Sequence, residues 1–150
     1  MERKQRTVEL QRSGGLNCAQ AIITSFGEEF GISSDAARSM GRPWGGGIGH
    51  RGETCGYLTG AVQVLARAFD HPDEEKARAE SQRAVQALFQ KFVDRRGTTL
   101  CRELLGADLS TEAGLQKVKR EGLVKIRCCG DDSIGGDVAE ILDDILQSRR

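Results

Sequence analysis

Several ordinary ingredients are scarce in these 150 residues, which hold two prolines, two methionines, one tryptophan and one tyrosine. No sign of charge dominates, since Lys plus Arg number 22 and Asp plus Glu number 22. Nucleic acid and acidic membrane surfaces attract a concentrated positive field, so neither is an expected partner. No apolar run is long enough to span a bilayer, and Met1-Glu2-Arg3-Lys4-Gln5-Arg6 is charged with no apolar stretch after it. The expectation is a soluble, cytoplasmic protein without membrane insertion. Period-two alternation is missing over any useful length, which argues against a sheet and for an all-α, single-domain helical bundle over residues 1–150. No CxxC pair occurs, which removes thioredoxin-like dithiol chemistry and the common zinc-finger spacing, and no CxxCH occurs, which removes covalent haem attachment through that motif.

What the chain does have is glycine, 19 in all, concentrated around Trp44-Gly45-Gly46-Gly47-Ile48-Gly49-His50-Arg51-Gly52-Glu53-Thr54-Cys55-Gly56-Tyr57-Leu58-Thr59-Gly60. Such a loop costs ordering entropy that a mere connector has little reason to incur, and it delivers Cys55 to a helix start. Gly47 to Gly52 match GxGxxG in form, but no strand precedes them, so a dinucleotide site is not expected. Gly46, Gly47, Gly49 and Gly56, with His50, are the candidates for contact with a bound group. Trp44 stands at the mouth of this loop, where it either covers the site or packs. His71 beside Pro72 reads as part of a turn.

Helical periodicity accounts for most of the rest. A short, frayed helix is expected from about Arg3 to Arg12, then a break at Ser13-Gly14-Gly15-Leu16. Asn17 followed by Gln20 resembles a capping box for a helix to about Phe30, with Ala19, Ile22, Ile23, Phe26 and Phe30 inward. Ser33 or Ser34 caps a short helix ending at Gly41-Arg42-Pro43. Thr54 is expected to cap a helix from Cys55 to about Phe69, in which Gly56 and Gly60 form a smooth strip. Pro72 and the acids Asp73-Glu74-Glu75 open a long helix to about Arg95, and Gly97 stops it. Thr98 is expected to cap Thr99 to Leu105, and Ser110 or Thr111 a helix to about Glu121. The run Leu123-Val124-Lys125-Ile126 is ambiguous, and a last helix is expected from about Gly136 to Gln147.

On this assignment Cys18, Cys55 and Cys101 each fall in the first turn of a helix, where unpaired N–H groups and the positive dipole end favour a thiolate. Cys128 and Cys129 sit beside Arg127, which favours a thiolate too; adjacent cysteines bridge each other only with strain, so one of the two is the expected working residue. Against this stands the fact that a free cysteine often acts as a small buried hydrophobe.

The blocks Gly15-Leu16-Asn17-Cys18-Ala19-Gln20-Ala21, Gly45-Gly46-Gly47-Ile48-Gly49 leading to Cys55-Gly56-Tyr57-Leu58-Thr59-Gly60, and Cys101-Arg102-Glu103-Leu104-Leu105-Gly106, with a late cysteine, together resemble the C_GCAxxG_C_C family, named for a suspected redox activity. The likeness runs from about Gly15 to Leu146. It implies an α-helical protein with four family cysteines, falling on Cys18, Cys55, Cys101 and either Cys128 or Cys129. Two departures stand out: Tyr57 replaces the alanine of the family's CGAxxG motif, and the doubled cysteine with Gly130-Asp131-Asp132-Ser133 resembles a local insertion. The helical core also resembles, more distantly, the non-haem part of split-Soret-type cytochromes, where an iron–sulfur centre is held.

Three functions compete. In the first, cysteines from separate helices converge under the glycine loop, with Cys18, Cys55, Cys101 and Cys129 as metal ligands, and hold an iron–sulfur cluster or zinc, or switch between dithiol and disulfide. The second is a metal-free thiol enzyme using Cys55, activated by His50 or Arg51. The third is a small binding module with structural cysteines. The first is the expected one, with an unidentified redox partner and a homodimer as a further expectation by analogy.

Overall fold

The computed structural model describes residues 2–149, and its elements begin where the capping residues dictate. Helix α1 (Arg3–Arg12) is a regular helix, with Thr7 and Val8 buried, and not the frayed segment its weak periodicity suggests. Asn17 opens α2 (Cys18–Gly27): its side chain accepts the Gln20 N–H at 2.8 Å while Gln20 Oε1 accepts the Asn17 N–H at 3.0 Å. Ser33 caps α3 (Ser34–Gly41). Helix α4 (Gly56–Ala68) starts with Cys55 itself in the capping position and no side-chain cap. Asp73 caps α5 (Glu74–Arg96), and left-handed Gly97 ends it. The His71 ring accepts the Asp73 N–H, the turn expected there. Helices α6 (Cys101–Leu105) and α7 (Glu112–Glu121, capped by Thr111) follow, then a π-helical turn over Val124–Cys128, and α8 (Ile134–Ser148), capped by Ser133.

Three starts differ from the sequence expectation, each because a distant segment intervenes. Thr54 does not cap α4; it forms an antiparallel bridge with Leu100, so residues 53–55 lie along 99–101. Leu100, not Thr98, takes the position before α6, held by the same pairing. Helix α8 begins two residues early because Gly135 lies inside its first turn: a Cβ there would sit 2.5 Å from Tyr57 Cζ and 2.8 Å from the Cys128 carbonyl.

Helix α2 is apolar nearly all round and lies at the centre, packed along α4 and flanked by α1, α3 and α8, while α5 closes the far side against α4 and α8. Gly60 permits the α2–α4 approach, since a Cβ would lie 2.6 Å from Ile22 Cγ2 and 2.9 Å from the Ala19 carbonyl. Phe26, Leu58, Leu65, Leu88, Phe92 and Leu142 are fully buried in this core, each contributing about 1.5–3 kcal/mol of transfer free energy. A smaller cluster, Leu105, Leu109, Val118 and Leu123, forms under α6 and α7. The seam between the two clusters is where the cysteines gather.

Candidate functional site: a four-cysteine cavity

The glycine loop is wound left-handed. Gly46, Gly47, Ile48, Gly49 and His50 have φ between 62° and 74°, and Gly52 has 70°. The four glycines carry this conformation without a side-chain clash, whereas Ile48 and His50 adopt it under strain. The turn is tied by the His50 N–H on the Gly45 carbonyl, the Gly52 N–H on Gly46 and the Glu53 N–H on Gly47. Its inner edge then meets α6: the Cys55 N–H donates to Thr99 O at 2.8 Å and the Cys101 N–H to Glu53 O at 2.6 Å. At the bridge, Cys55 and Cys101 flank the Thr54–Leu100 pair and share the face opposite to it.

Cys18, Cys55, Cys101 and Cys128 line one cavity of about 50 Å³, together with Gln11, Gly46, Gly56 and Tyr57 and the apolar walls Leu104, Leu105, Leu109, Val124 and Ile134. Four separate segments supply the thiols: the first residue of α2, the residue before α4, the first residue of α6 and the last of the π turn. Cys18 and Cys55 belong to the main core, Cys101 packs on the smaller cluster, and Cys128 touches both. Gly56 is required here, because a Cβ on it would collide with Cys18 Sγ. A Cβ on Gly47 would lie 2.7 Å from Cys101 Cβ. All the cysteines are free thiols.

The two adjacent cysteines part company. The wide π turn brings Cys128 to the cavity, whereas Cys129 is fully buried elsewhere, its thiol donating to Val124 O at 3.6 Å. Arg12 fixes that backbone by donating from Nε (3.0 Å) and Nη2 (2.6 Å) to the Cys129 carbonyl. Of the ligand set expected above, Cys18, Cys55 and Cys101 meet in the cavity; the fourth thiol there is Cys128 and not Cys129. Gly46 and Gly56 line it as well, Gly47 backs it, and Gly49 and His50 lie on the exposed outer side of the loop. Trp44 ends a short 3-10 turn and does not line the cavity.

Burial decides the charge state of these thiols, against the expectation of thiolates at helix starts. Desolvation pushes the Cys18 thiol up, with main-chain N–H groups of Gly46, Ala19 and Gly56 pulling the other way. Burial raises Cys55 strongly, Cys18 adds to this, and the N–H groups of Tyr57 and Leu58 only moderate it. Cys101 is pushed up to about 12 by burial first and then by Cys18. Cys128 is raised well above its ordinary value by burial and then by Cys55, Cys18 and Cys101. Cys129 is raised by burial, lowered by Arg12 and Lys125, and raised a little by Glu9.

Two residues of the site carried little or no signal in the sequence. Gln11 lies on a helix with no clear apolar face, yet its Oε1 accepts the Tyr57 hydroxyl beside the cavity. Tyr57, conspicuous only as a departure from alanine, is fully buried, and Gly135 makes the space for its ring.

An all-α domain with four cysteines from four chain segments lining one small cavity is the class of protein that this geometry defines. Residues 16–145 match the family model described as "Putative redox-active protein (C_GCAxxG_C_C)", and the chain belongs to that family. No curated protein and no solved structure matches it.

Proposed function

We propose that this protein is a redox carrier whose centre is the cavity lined by Cys18, Cys55, Cys101 and Cys128, and that the centre is an iron–sulfur cluster. The observation that carries the reading is the convergence of those four cysteines on one largely apolar cavity. Among the described residues no three or more His, Cys, Asp or Glu side chains gather about a single point as one metal ion needs. The donor set fits: four sulfurs would hold it, and main-chain N–H groups of Gly46 and Gly56 at Cys18, and of Tyr57 and Leu58 at Cys55, stabilise negative sulfur. When bound, such a cluster supplies one-electron exchange at a potential set by those N–H groups and by burial. Leu104, Leu105 and Ile134 give the cavity apolar walls, and the Tyr57 hydroxyl beside them donates to Gln11 Oε1.

A second form of the same redox reading rests on Cys55 and Cys101, which share one face of the bridged segments. Two such thiols close to a disulfide by giving two protons and two electrons to an external disulfide, which leaves as two thiols. Thiols held protonated by burial do not support the metal-free nucleophile, which needs a thiolate.

Anaerobically purified protein, assayed for iron, labile sulfide and zinc with its visible spectrum and its free thiol count before and after reduction, tests the proposal. Iron, sulfide and charge-transfer bands are expected. Colourless protein gaining two thiols on reduction replaces the cluster by the disulfide form, and no metal with no change in thiols overturns both.

A further inference from the structure

The cysteine cavity does not end at its own walls. A groove of about 370 Å³ adjoins it and shares Gln11, Cys18, Gly46, Leu109 and Val124 with it. That volume falls within the range of small-molecule sites, roughly 300–1,000 Å³. Its far wall is apolar, formed by Leu109, Leu115 and Val118. Its rim is basic: Arg42 follows α3, Lys119 lies in the last turn of α7, and His50 stands on the strained loop. None of the residues lining it is an Asp or a Glu. Among the described residues neither Arg42 nor Lys119 takes part in an ion pair, although the two signs of charge balance over the whole chain. Two unpaired cations over an apolar wall, opening on one sulfur, describe a complementary surface for an anion with a hydrophobic body.

We infer that this groove binds a small organic anion, a carboxylate or sulfonate carried on an apolar or aromatic frame, and presents it to Cys18. The head group lies between Arg42 and Lys119, the frame lies on Leu115 and Val118, and the far end reaches the sulfur through the opening beside Gly46. His50 offers a hydrogen bond at the rim. His50 has left-handed backbone and lines the groove together with Gly46. The inference rests on the redox reading only for what happens after binding.

The test uses full-length, fully reduced, metal-free protein and two aromatic disulfides of similar size, the dianionic dithiobis(nitrobenzoate) and neutral dithiodipyridine. In each case a Cys18 thiol loses its proton to solvent, its sulfur bonds to one half of the reagent, and the other half leaves as a coloured thiol. Mass spectrometry locates the modified residue. Arg42 and Lys119 are exposed, so the variant R42Q/K119Q keeps its fold, checked by circular dichroism. Cys18 is expected to be modified first, and the double variant to lower the anionic-to-neutral rate ratio about fivefold at low salt. Salt at about 1 M should remove the same preference from the wild type. An unchanged ratio in the variant, a preference insensitive to salt, or first modification at another cysteine overturns the inference. The redox reading is judged separately, by iron, sulfide and the change in thiols on reduction. A variant that keeps its redox centre with an unchanged ratio refutes the groove alone; a wild type with no redox centre but a salt-sensitive preference refutes the redox reading alone.

Discussion

The contact between Gly56 and Cys18 is a tight joint of the site, and Gly56→Ala examines it directly. A methyl there would meet Cys18 Sγ at far less than van der Waals distance and the Trp44 carbonyl at 3.1 Å. Neither yields easily: Cys18 is fixed by the capping box at the start of α2, and the Trp44 carbonyl accepts the Ile48 N–H at 3.2 Å. Overpacking of this kind costs about 1–3 kcal/mol. Gly56 is the first residue of α4, where alanine's advantage within a helix, about 0.8–1 kcal/mol, is only partly realised. A net loss of about 1–2 kcal/mol is expected, a fall of roughly 3–8 °C in melting temperature for a chain of this size. Gly60→Ala is the matched control, since it forces the same two helices apart at Ile22 and Ala19 without touching a sulfur. Its mid-helix position recovers the full propensity, so its loss is about 0–2 kcal/mol. Thermal unfolding followed by circular dichroism gives both stabilities, and iron content or the reducible thiol count gives the state of the centre. Gly56→Ala should lose the centre and Gly60→Ala should keep it. Equal retention, or equal loss at equal stability, would refute the argument that Gly56 is there for Cys18.

Alkaline stability follows from the buried thiols. An unfolded thiol titrates near its ordinary value of 9.0, whereas Cys101 in the fold does so at about 12. The folded state holds its proton more tightly, so this contribution is complete below about pH 9 and is lost between about pH 9 and 12, at about 1.4 kcal/mol per pH unit for each such thiol. Urea unfolding of the reduced, metal-free protein from about pH 8 to about pH 10 should show stability falling, and a flat profile would count against the buried thiols. Cys128→Ala should abolish the redox signature while Cys129→Ala keeps it, read by iron content or reducible thiols; the reverse would move the centre to Cys129. Ile48→Gly and His50→Gly each relieve left-handed strain of about 1–2 kcal/mol against an added unfolded-state entropy of about 0.4–1 kcal/mol. Each variant should therefore raise the urea midpoint slightly, and a lower midpoint would mean that these side chains contribute contacts to the loop. If the centre is a disulfide, its midpoint potential should fall about 59 mV per pH unit and keep falling past about pH 9, because two protons accompany two electrons; a slope that flattens near pH 9 would contradict protonated thiols.

Helices with local start signals were legible in the sequence. Asn17 with Gln20, Asp73 behind Pro72, and Thr111 announce their helices through residues that cap their own backbone within three positions, so the sequence contains the whole interaction. The starts that were misread depend on partners far along the chain. Thr54 looks like a cap until Leu100 pairs with it, and the last helix, expected from about Gly136, starts at Ile134 with Gly135 beside the Tyr57 ring. The π turn at Val124–Cys128 leaves no mark in a periodicity read at 3.6 residues per turn. Hence the order of Cys128 and Cys129 around the helix axis could not be read. Gln11 was invisible for the same reason, since its role exists only once α1 lies beside the Tyr57 hydroxyl.

The thiol charge state shows why position along a helix is not enough to define reactivity. A helix start is worth about 0.3–1 kcal/mol to a nearby anion, and up to about 2 kcal/mol in a favourable buried place. Removing a thiolate from water into an apolar cavity opposes this with a penalty that can reach several pKa units. The balance falls to burial at Cys18, Cys55 and Cys101, although each sits at a helix start with N–H groups close by. The two influences are not redundant, because they act at different moments. Burial keeps the thiols protonated and slows their reaction with oxidants in solution. The N–H groups act once an iron centre or electron loss takes the protons away, when negative sulfur needs donors that do not have to reorganise. A site built only for reactive thiolates would have the donors without the apolar walls, and a site of merely structural cysteines would have the walls without Gly46, Gly56 and the left-handed loop that presents them. The presence of both in one cavity is what argues for a redox centre over either alternative.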